Sequence, residues 1–574
     1  MTRRDIKPLT KPVPVPYTGP PTNNQLQALR HLTAIADIQG FGIATAPAIP
    51  TDTKSDIPAL ASIPQNGQAA LRKPFRLQRV PWLLVILTAQ AALSLRLVWS
   101  NTAFQDEALY LWAGHLEWQH WLHGAPISPA ALPTYFSGAP VVYPPLGALA
   151  DSIGGLPAAR LLSLMFMLLA TNLLYKVACQ LFDNRTALFA AAVFVGTASS
   201  QFLGAFATYD AMALFLLALA TWLGVRAAVS ATALSLVTIT SAGAVMAIAD
   251  SAKYAAALFD PVVLGITALT MWRFRGPRRA LMSFMLMACV SILVLGVGVK
   301  LGGEAYWHGI TETTLTRSAG TTPALGVLFI SAKWIGAVTF LAICGAFATQ
   351  WSRQWHTKLL GCLLAGAVFL APVEQARIHL LTSLFKHVGY GGWFAAIMAG
   401  YALAGLSRVV PPVKAAAAGR VALAVTVLSS LSGIAYAGTH FAVWPNTSAY
   451  VAELQPLLAS VKGQVLIDTA QIPEYYLHRY VGYDRITNTS YFEYTDQITR
   501  KRITQPAAAY ADAIRQRFFA VISLTYGSSP TIYDPRILSD IRKYGGYKLV
   551  SSIPFRTSSD AGHFLTWVRT GSPQ

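Results

Sequence analysis

From residue 81 to about residue 440, apolar residues come in long blocks separated by short polar or glycine-rich gaps. Blocks of about 17–22 residues are long enough to cross a hydrocarbon core of roughly 30 Å as helices. They centre near residues 90, 168, 195, 217, 241, 262, 290, 334, 365, 398 and 428, which predicts about eleven transmembrane helices. Two flanking regions break the pattern. Residues 1–70 are rich in Pro, Thr, Ala and Gln, and "KPLTKPVPVPYTGPP" reads as an extended Pro-rich segment. This stretch has no short apolar core with a small-residue cleavage site, so it is expected to be a disordered cytoplasmic tail and not a signal peptide. Residues 71–440 then form the membrane domain. From 441 to 574 the pattern changes again: "QVLID", "FFAVISLTY", "YKLVSSIPF" and "FLTWVRT" read as strands, while "SAYVAELQPLLASVK" and "AAYADAIRQRF" have helical spacing. A soluble α/β domain is expected there.

Composition supports the membrane reading. Only 12% of the residues are charged, against about 25% in an ordinary soluble domain. The formal net charge of +19 needs no nucleic acid partner, because Lys and Arg accumulate on cytoplasmic loops of polytopic proteins. The basic residues also set an orientation. Arg72, Lys73, Arg76 and Arg79 precede the first block, which keeps the N-terminus cytoplasmic. Every second gap then holds bases: Lys176 and Arg185, Arg226, Arg273 to Arg279, Arg353 and Lys358, Arg408 and Lys414. The intervening gaps hold Asp106, Glu107, Asp210, Asp250, Glu304, Glu312 and Glu374. An odd number of spans places the C-terminal domain outside. The four cysteines lie within or beside apolar blocks and are expected to be buried thiols, with no disulfide framework. Together these features point to the cytoplasmic (inner) membrane of a bacterium.

The gap after the first block is long and not plainly polar. It opens with "FQDEALYLWAG", and "ALYLWAGHLEWQHWLHG" carries Leu, Trp and Tyr at helical spacing, as a helix lying in the membrane interface would. Asp106 and Glu107 fit a solvated helix start. They gain interest because other ionisable groups share their side: Asp210 in "ATYDAMALF", Asp250, Lys253 and Tyr254 in "ADSAKYAAALFD", and Glu374, Arg377, His379, Lys386 and His387 in "EQARIHLLTSLFKHVGYGGWFAA". Ionisable groups at membrane depth are costly unless paired or functional. A carboxylate in hydrogen-bond reach can deprotonate a hydroxyl acceptor, and Lys and Arg can hold a phosphate. The chemistry that fits is glycosyl transfer from a lipid-anchored phosphate sugar.

The acidic pair after the first helix, the downstream "YPPLGAL", the Arg160 of "LPAARLLSL" and the Asp210 of "TYDAMALF" resemble the GT-C membrane glycosyltransferases. Within them the match is to the branch containing the protein O-mannosyltransferases and the lipid A aminoarabinose transferase. The resemblance covers roughly residues 80–405. It implies a helical bundle followed by a soluble domain, a polyprenyl-phosphate sugar as donor, and a glycan, lipid or protein acceptor outside the membrane. It implies Asp106 as catalytic base with Glu107 beside it, and inversion at the anomeric carbon. Tyr143 stands where some relatives carry His or Lys, so a substrate contact there is in question. Some relatives use a divalent metal, for which Asp106, Glu107 and Asp210 offer oxygen ligands. Arg160, Lys253, Arg377 and Lys386 are the candidates for holding the donor phosphate, with Tyr143, Asp210, Tyr254, His379 and His387 as supporting groups. The alternatives are a transporter or flippase of a lipid-linked or anionic substrate, which would carry its charges at the midplane, and a scaffold for the C-terminal domain.

Overall fold

A computed structural model describes residues 80–127, 136–409, 412–489, 492–527 and 533–571, all within one compact unit, Arg76–Gln574. The expected tail at 1–70 lies outside the described residues.

The apolar blocks fold as helices: α1 (Val80–Val98), α2 (Gln105–His123), α3 (Tyr143–Leu181), α4 (Asn184–Gly196), α5 (Ala198–Leu203), α6 (Tyr209–Ala227) and α7 (Thr232–Ala252). After a 3-10 turn at Tyr254–Phe259 come α8 (Asp260–Arg275), α9 (Pro277–Ile310), α10 (Ala324–Gln350), α11 (Trp355–Gly366), α12 (Leu370–Arg377), α13 (Leu384–Val409) and α14 (Pro412–Phe441). Each of the eleven expected centres falls in a helix or, near 262 and 365, in a helix extended by a 3-10 turn. Among the described residues, eight segments are long and apolar enough to cross a membrane: Tyr143–Leu181, Tyr209–Ala227, Thr232–Ala252, Tyr254–Arg275, Pro277–Glu304, Ala324–Gln350, Trp355–Arg377 and Ala416–Phe441. Trp82–Val98 and Asn184–Gly196 are shorter apolar helices, so the figure of eleven is not reached by length and apolarity alone. α3 is two helices meeting at a break, where Gly154 and Gly155 leave helical geometry ahead of Pro157.

The basic turns gather at one end of the bundle. There Arg273 donates to the Leu181 carbonyl and Arg275 to that of Ala228. The first turns of α6 and α13 and the last turn of α7 lie at the other end. Three of the four cysteines, Cys289, Cys344 and Cys362, are exposed on the apolar segments, and Cys179 is half-buried. The expectation of buried thiols is corrected for Cys289, Cys344 and Cys362, which sit on outward-facing helix surfaces, where hydrocarbon would provide the apolar surroundings.

Beyond α14 lie α15 (Ser448–Ser460), β1 (Gln464–Ile467), α16 (Gln471–Leu477), β2 (Ile486–Asn488), a short antiparallel pair β3 (Tyr494–Thr495) and β4 (Arg502–Ile503), α17 (Pro506–Arg515), β5 (Phe519–Tyr526), α18 (Asp534–Tyr544), β6 (Tyr547–Arg556) and β7 (Ala561–Arg569). The main sheet has order β2-β1-β5-β7-β6. β1 pairs in parallel with β2 and β5, and β7 runs antiparallel to β5 and β6. β5 is buried nearly throughout, as its unbroken apolar sequence requires. The domain packs on the bundle through α16. Ile472 and Tyr475 share a small core with Ala103, Ala108, Leu111, Leu156, Ala159 and Ala207. This makes the face carrying α2 also the domain-bearing face.

Candidate active site

Asp106 and Glu107 are neighbours in sequence, about 100° apart around a helix, and they face different partners. Glu107 is fully buried. Its Oε1 accepts from Arg160 Nε at 2.8 Å and from the Ala207 N–H at 2.8 Å. Its Oε2 accepts from Arg160 Nη2 at 2.7 Å and from the Phe104 N–H at 3.0 Å, the return half of a capping box. Arg160, also fully buried, donates in addition to the carbonyls of Val98, Asn101 and Thr102. All five guanidinium N–H groups are thus used. Breaking a buried pair of this kind costs about 3–5 kcal/mol. The arrangement clamps the end of α1, the start of α2 and the approach to α6, and leaves neither residue a group to offer a substrate. Glu107 and Arg160, expected in catalysis and in phosphate binding, are both engaged in this scaffold.

Asp106 points the other way and keeps 29% of its side chain exposed. Its Oδ2 accepts from Lys386 Nζ at 2.7 Å. Lys386 is fully buried in the first turn of α13 and lies 3.7 Å from Asp210 Oδ2. Asp210, in the first turn of α6, accepts from Thr208 Oγ1 at 3.1 Å. Lys253, just past α7, completes the row: its Nζ is 4.0 Å from Asp210 Oδ1 and donates to Ser137 Oγ at 2.7 Å. Four elements thus bring two carboxylates and two buried ammoniums into one chain of contacts. Gly138 makes the Ser137 contact feasible, because a side chain there would stand 2.1 Å from the Ala252 carbonyl oxygen.

Two tyrosines that the sequence reading passed over line the same place. Tyr110 donates to Tyr209 Oη at 2.6 Å, and Tyr209 Oη lies 2.8 Å from Ser137 Oγ. Lys253 Nζ sits 4.6 Å above the Tyr209 ring, an arrangement that stabilises a desolvated cation. Burial, and then the nearby Asp106 charge, hold the Tyr110 phenol well above its ordinary pKa, so it remains a hydrogen-bond donor. Tyr209 adjoins Asp210 in the quoted "TYDAM" motif, which was the available signal.

The other expected residues divide. His387 is buried beside Gln375, with 3.3 Å between its Nδ1 and Gln375 Nε2. Tyr143 is buried under Tyr209, ring to ring at 6.4 Å. Tyr254 packs against Tyr306 at 6.2 Å. Arg377 and His379 are not drawn in. Arg377 is exposed and paired with Glu374 one helical turn back, at 2.6 Å, and His379 is exposed with its Nδ1 2.9 Å from the Thr322 carbonyl. Their expected substrate roles have no support in the geometry.

The proposed metal ligands do not come together either. Glu107 is turned to Arg160, and the Lys386 ammonium lies between Asp106 and Asp210, where a shared cation would sit. Among the described residues no group of three or more His, Cys, Asp or Glu could hold a metal ion. The donor set does not fit a divalent metal.

No protein-family model and no curated protein sequence matches the chain. Solved structures do. ArnT from Cupriavidus metallidurans, bound to undecaprenyl phosphate, superposes with a TM-score of 0.54 at 13% identity, covering 84% of this chain and 98% of that one. The oligosaccharyltransferase of Archaeoglobus fulgidus, in its apo form, gives 0.54 at 12% identity over 78% of this chain and 70% of that one. The mycobacterial arabinofuranosyltransferase AftD gives 0.50 at 17% identity, over 86% of this chain but only 40% of its own.

The chain has the GT-C fold. A GT-C bundle with eight apolar helices of membrane length is a multi-pass membrane protein. The likeness to ArnT spans nearly all of that chain.

Proposed function

We propose that this protein transfers a sugar from a polyprenyl-phosphate donor to a hydroxyl acceptor on the extracytoplasmic side of the membrane, with Asp106 as general base. The observation that carries the reading is the row Asp106–Lys386–Asp210–Lys253 on the domain-bearing face: one accessible carboxylate beside two ammoniums that are themselves fully buried. Burying a lysine is costly without a partner. A row in which each ammonium contacts a carboxylate stays closed until an anion arrives to compete for it.

The chemistry follows from these contacts. The donor phosphate draws on Lys386 and Lys253. As Lys386 turns to the phosphate, Asp106 loses its ion-pair partner and its basicity rises. Asp106 then takes the proton of the acceptor hydroxyl. The acceptor oxygen forms its bond to the anomeric carbon while the bond from that carbon to the phosphate oxygen breaks. The electron pair leaves on the polyprenyl phosphate, whose added charge the ammoniums offset. One displacement inverts the configuration. Tyr110 and Ser137, hydrogen-bonded around Tyr209, supply hydroxyls beside the row. The reading gains support from the solved relatives of this fold, among them an ArnT with undecaprenyl phosphate and an oligosaccharyltransferase with dolichol phosphate. The basic turns at the far end of the bundle support a cytoplasmic assignment for that end.

The test is consumption of donor. The full chain in detergent is given synthetic polyprenyl-phosphate mannose, arabinose and glucose, and release of polyprenyl phosphate is followed. Turnover of one donor is expected. Binding without turnover of any donor, in the presence of an envelope extract as acceptor, would favour a transporter of lipid-linked substrate instead.

A further inference from the structure

α13 opens with Lys386 and His387 side by side. Lys386 belongs to the row, and the neighbouring imidazole leaves the helix about 100° away from it. His387, Tyr390 and Phe394 form a stripe on α13 at helical spacing. Tyr390 and Phe394 stack on Phe259, at 5.6 and 6.1 Å, the last residue of the 3-10 turn that follows Lys253. Tyr390 Oη also donates to the Asp210 backbone carbonyl at 3.2 Å. His387 therefore stands on the side of α13 turned to the elements that carry Lys253 and Asp210. The charges that act most on its ring are those of Lys253 and Lys386.

Hydrogen bonding fixes where the ring carries its hydrogen. Gln375, buried in α12, has its Nε2 2.9 Å from the Thr382 carbonyl oxygen and 3.3 Å from His387 Nδ1. A carbonyl only accepts, so the amide presents its nitrogen to Thr382. Turned over, it would set two oxygens against each other. The same amide nitrogen then donates its second hydrogen to His387 Nδ1, which has to be the bare nitrogen of the ring. The hydrogen of the neutral imidazole is on Nε2. His387 is only 7% exposed, and among the described residues its Nε2 is buried with no hydrogen-bond partner. A buried donor left unpaired is costly and calls for a ligand or an ordered water.

We propose that Gln375 holds His387 as a neutral donor whose Nε2–H bonds to the phosphate of the polyprenyl donor, alongside the ammoniums of Lys386 and Lys253. The inference rests on the phosphate role proposed above for those two lysines. An uncharged donor suits this place, because it adds to the hold on the phosphate without a further cation to compete for Asp106. His387 meets the substrate, and Gln375 is a positioning residue that acts through it.

NMR of the full chain in detergent, with isotope-labelled histidine nitrogens, tests it. The His387 signals, assigned against His387→Gln, should show a bare Nδ1 and a hydrogen on Nε2, and a synthetic polyprenyl phosphate should move that Nε2–H signal. Gln375→Leu removes the lock and should bring an Nδ1–H form into view. His387→Phe should weaken lipid binding about tenfold, the size of one hydrogen bond to an ion. His387→Gln, whose amide can offer an N–H in place of the ring's, should recover most of it. An Nδ1–H tautomer in wild type would overturn the proposal, as would bound lipid that leaves the Nε2–H signal unmoved. A tautomer unchanged in Gln375→Leu would overturn the part given to Gln375. Wild type that retains no polyprenyl phosphate at all would bring down the phosphate role beneath, and this proposal with it.

Discussion

Asp106 and Glu107 show what one residue of offset does on a helix. Two adjacent carboxylates looked like a single acidic motif, yet one turns into an ion pair with Arg160 and the other toward Lys386. The pairing with Arg160 spans 53 residues, and no local spacing announces it. This is why Arg160 was expected on the phosphate and is found in the scaffold. The pair Glu374 and Arg377 was legible in principle, since residues three apart on a helix meet. Two consequences are measurable. Glu107→Gln leaves Arg160 with an unbalanced buried charge and should destabilise by about 3–5 kcal/mol, seen as a lower melting temperature and poor recovery in detergent. Lys386→Met removes the centre of the catalytic row and should weaken donor binding, measured as reduced retention of polyprenyl phosphate, because Lys253 is then the one buried ammonium left in the row to offset Asp106, Asp210 and the phosphate.

At the scale of elements, the long helices were readable because hydrocarbon thickness sets their length and composition. The strands β1, β5, β6 and β7 were readable from β-branched runs. α16, "QIPEYYL", was not, since seven residues carry too little periodicity, and β2 is only three residues long. Yet α16 joins the C-terminal domain to the site. Tyr476 Oη accepts from the Ala103 N–H at 2.8 Å, two residues before α2 begins, and Gln471 accepts from Gln105 at 3.2 Å. Asp151 accepts from Tyr475 Oη at 2.5 Å and lies 2.7 Å from His115 Nε2, further along α2. The helix that carries Asp106 is therefore held from both sides. Tyr476→Phe strands the Ala103 N–H, costs about 1–3 kcal/mol, and should lower kcat more than it changes the donor KM, in steady-state assays. Glu474 in the same helix is pushed up to about 8 by burial. Its folded form holds its proton where the unfolded chain has lost it, so this group's contribution to stability falls as pH rises from about 4.5 to about 8. Glu474→Gln should raise the melting temperature at pH 8 by a few degrees and leave it unchanged at pH 5, read in parallel thermal melts.

For the whole molecule, the bundle, the loop helix and the sheet domain act as one site-building unit. The cluster formed by Ala103, Leu111, Leu156, Ile472 and Tyr475 belongs to no single part. Sequence blocks conveyed the parts and their order, while the shared core needed three-dimensional contacts that no block predicts. The account stands on the claim that Asp106 is the accessible base of a glycosyl transfer from a lipid phosphate. The measurement that bears on it most directly is the rate of polyprenyl phosphate release from the accepted donor by Asp106→Asn, beside wild type and with melting temperatures matched. A fall of about 10²–10⁴-fold, the span of positioned general-base catalysis, with donor binding retained, is the predicted result. A variant that turns over within a few-fold of wild type would contradict it and move the base elsewhere.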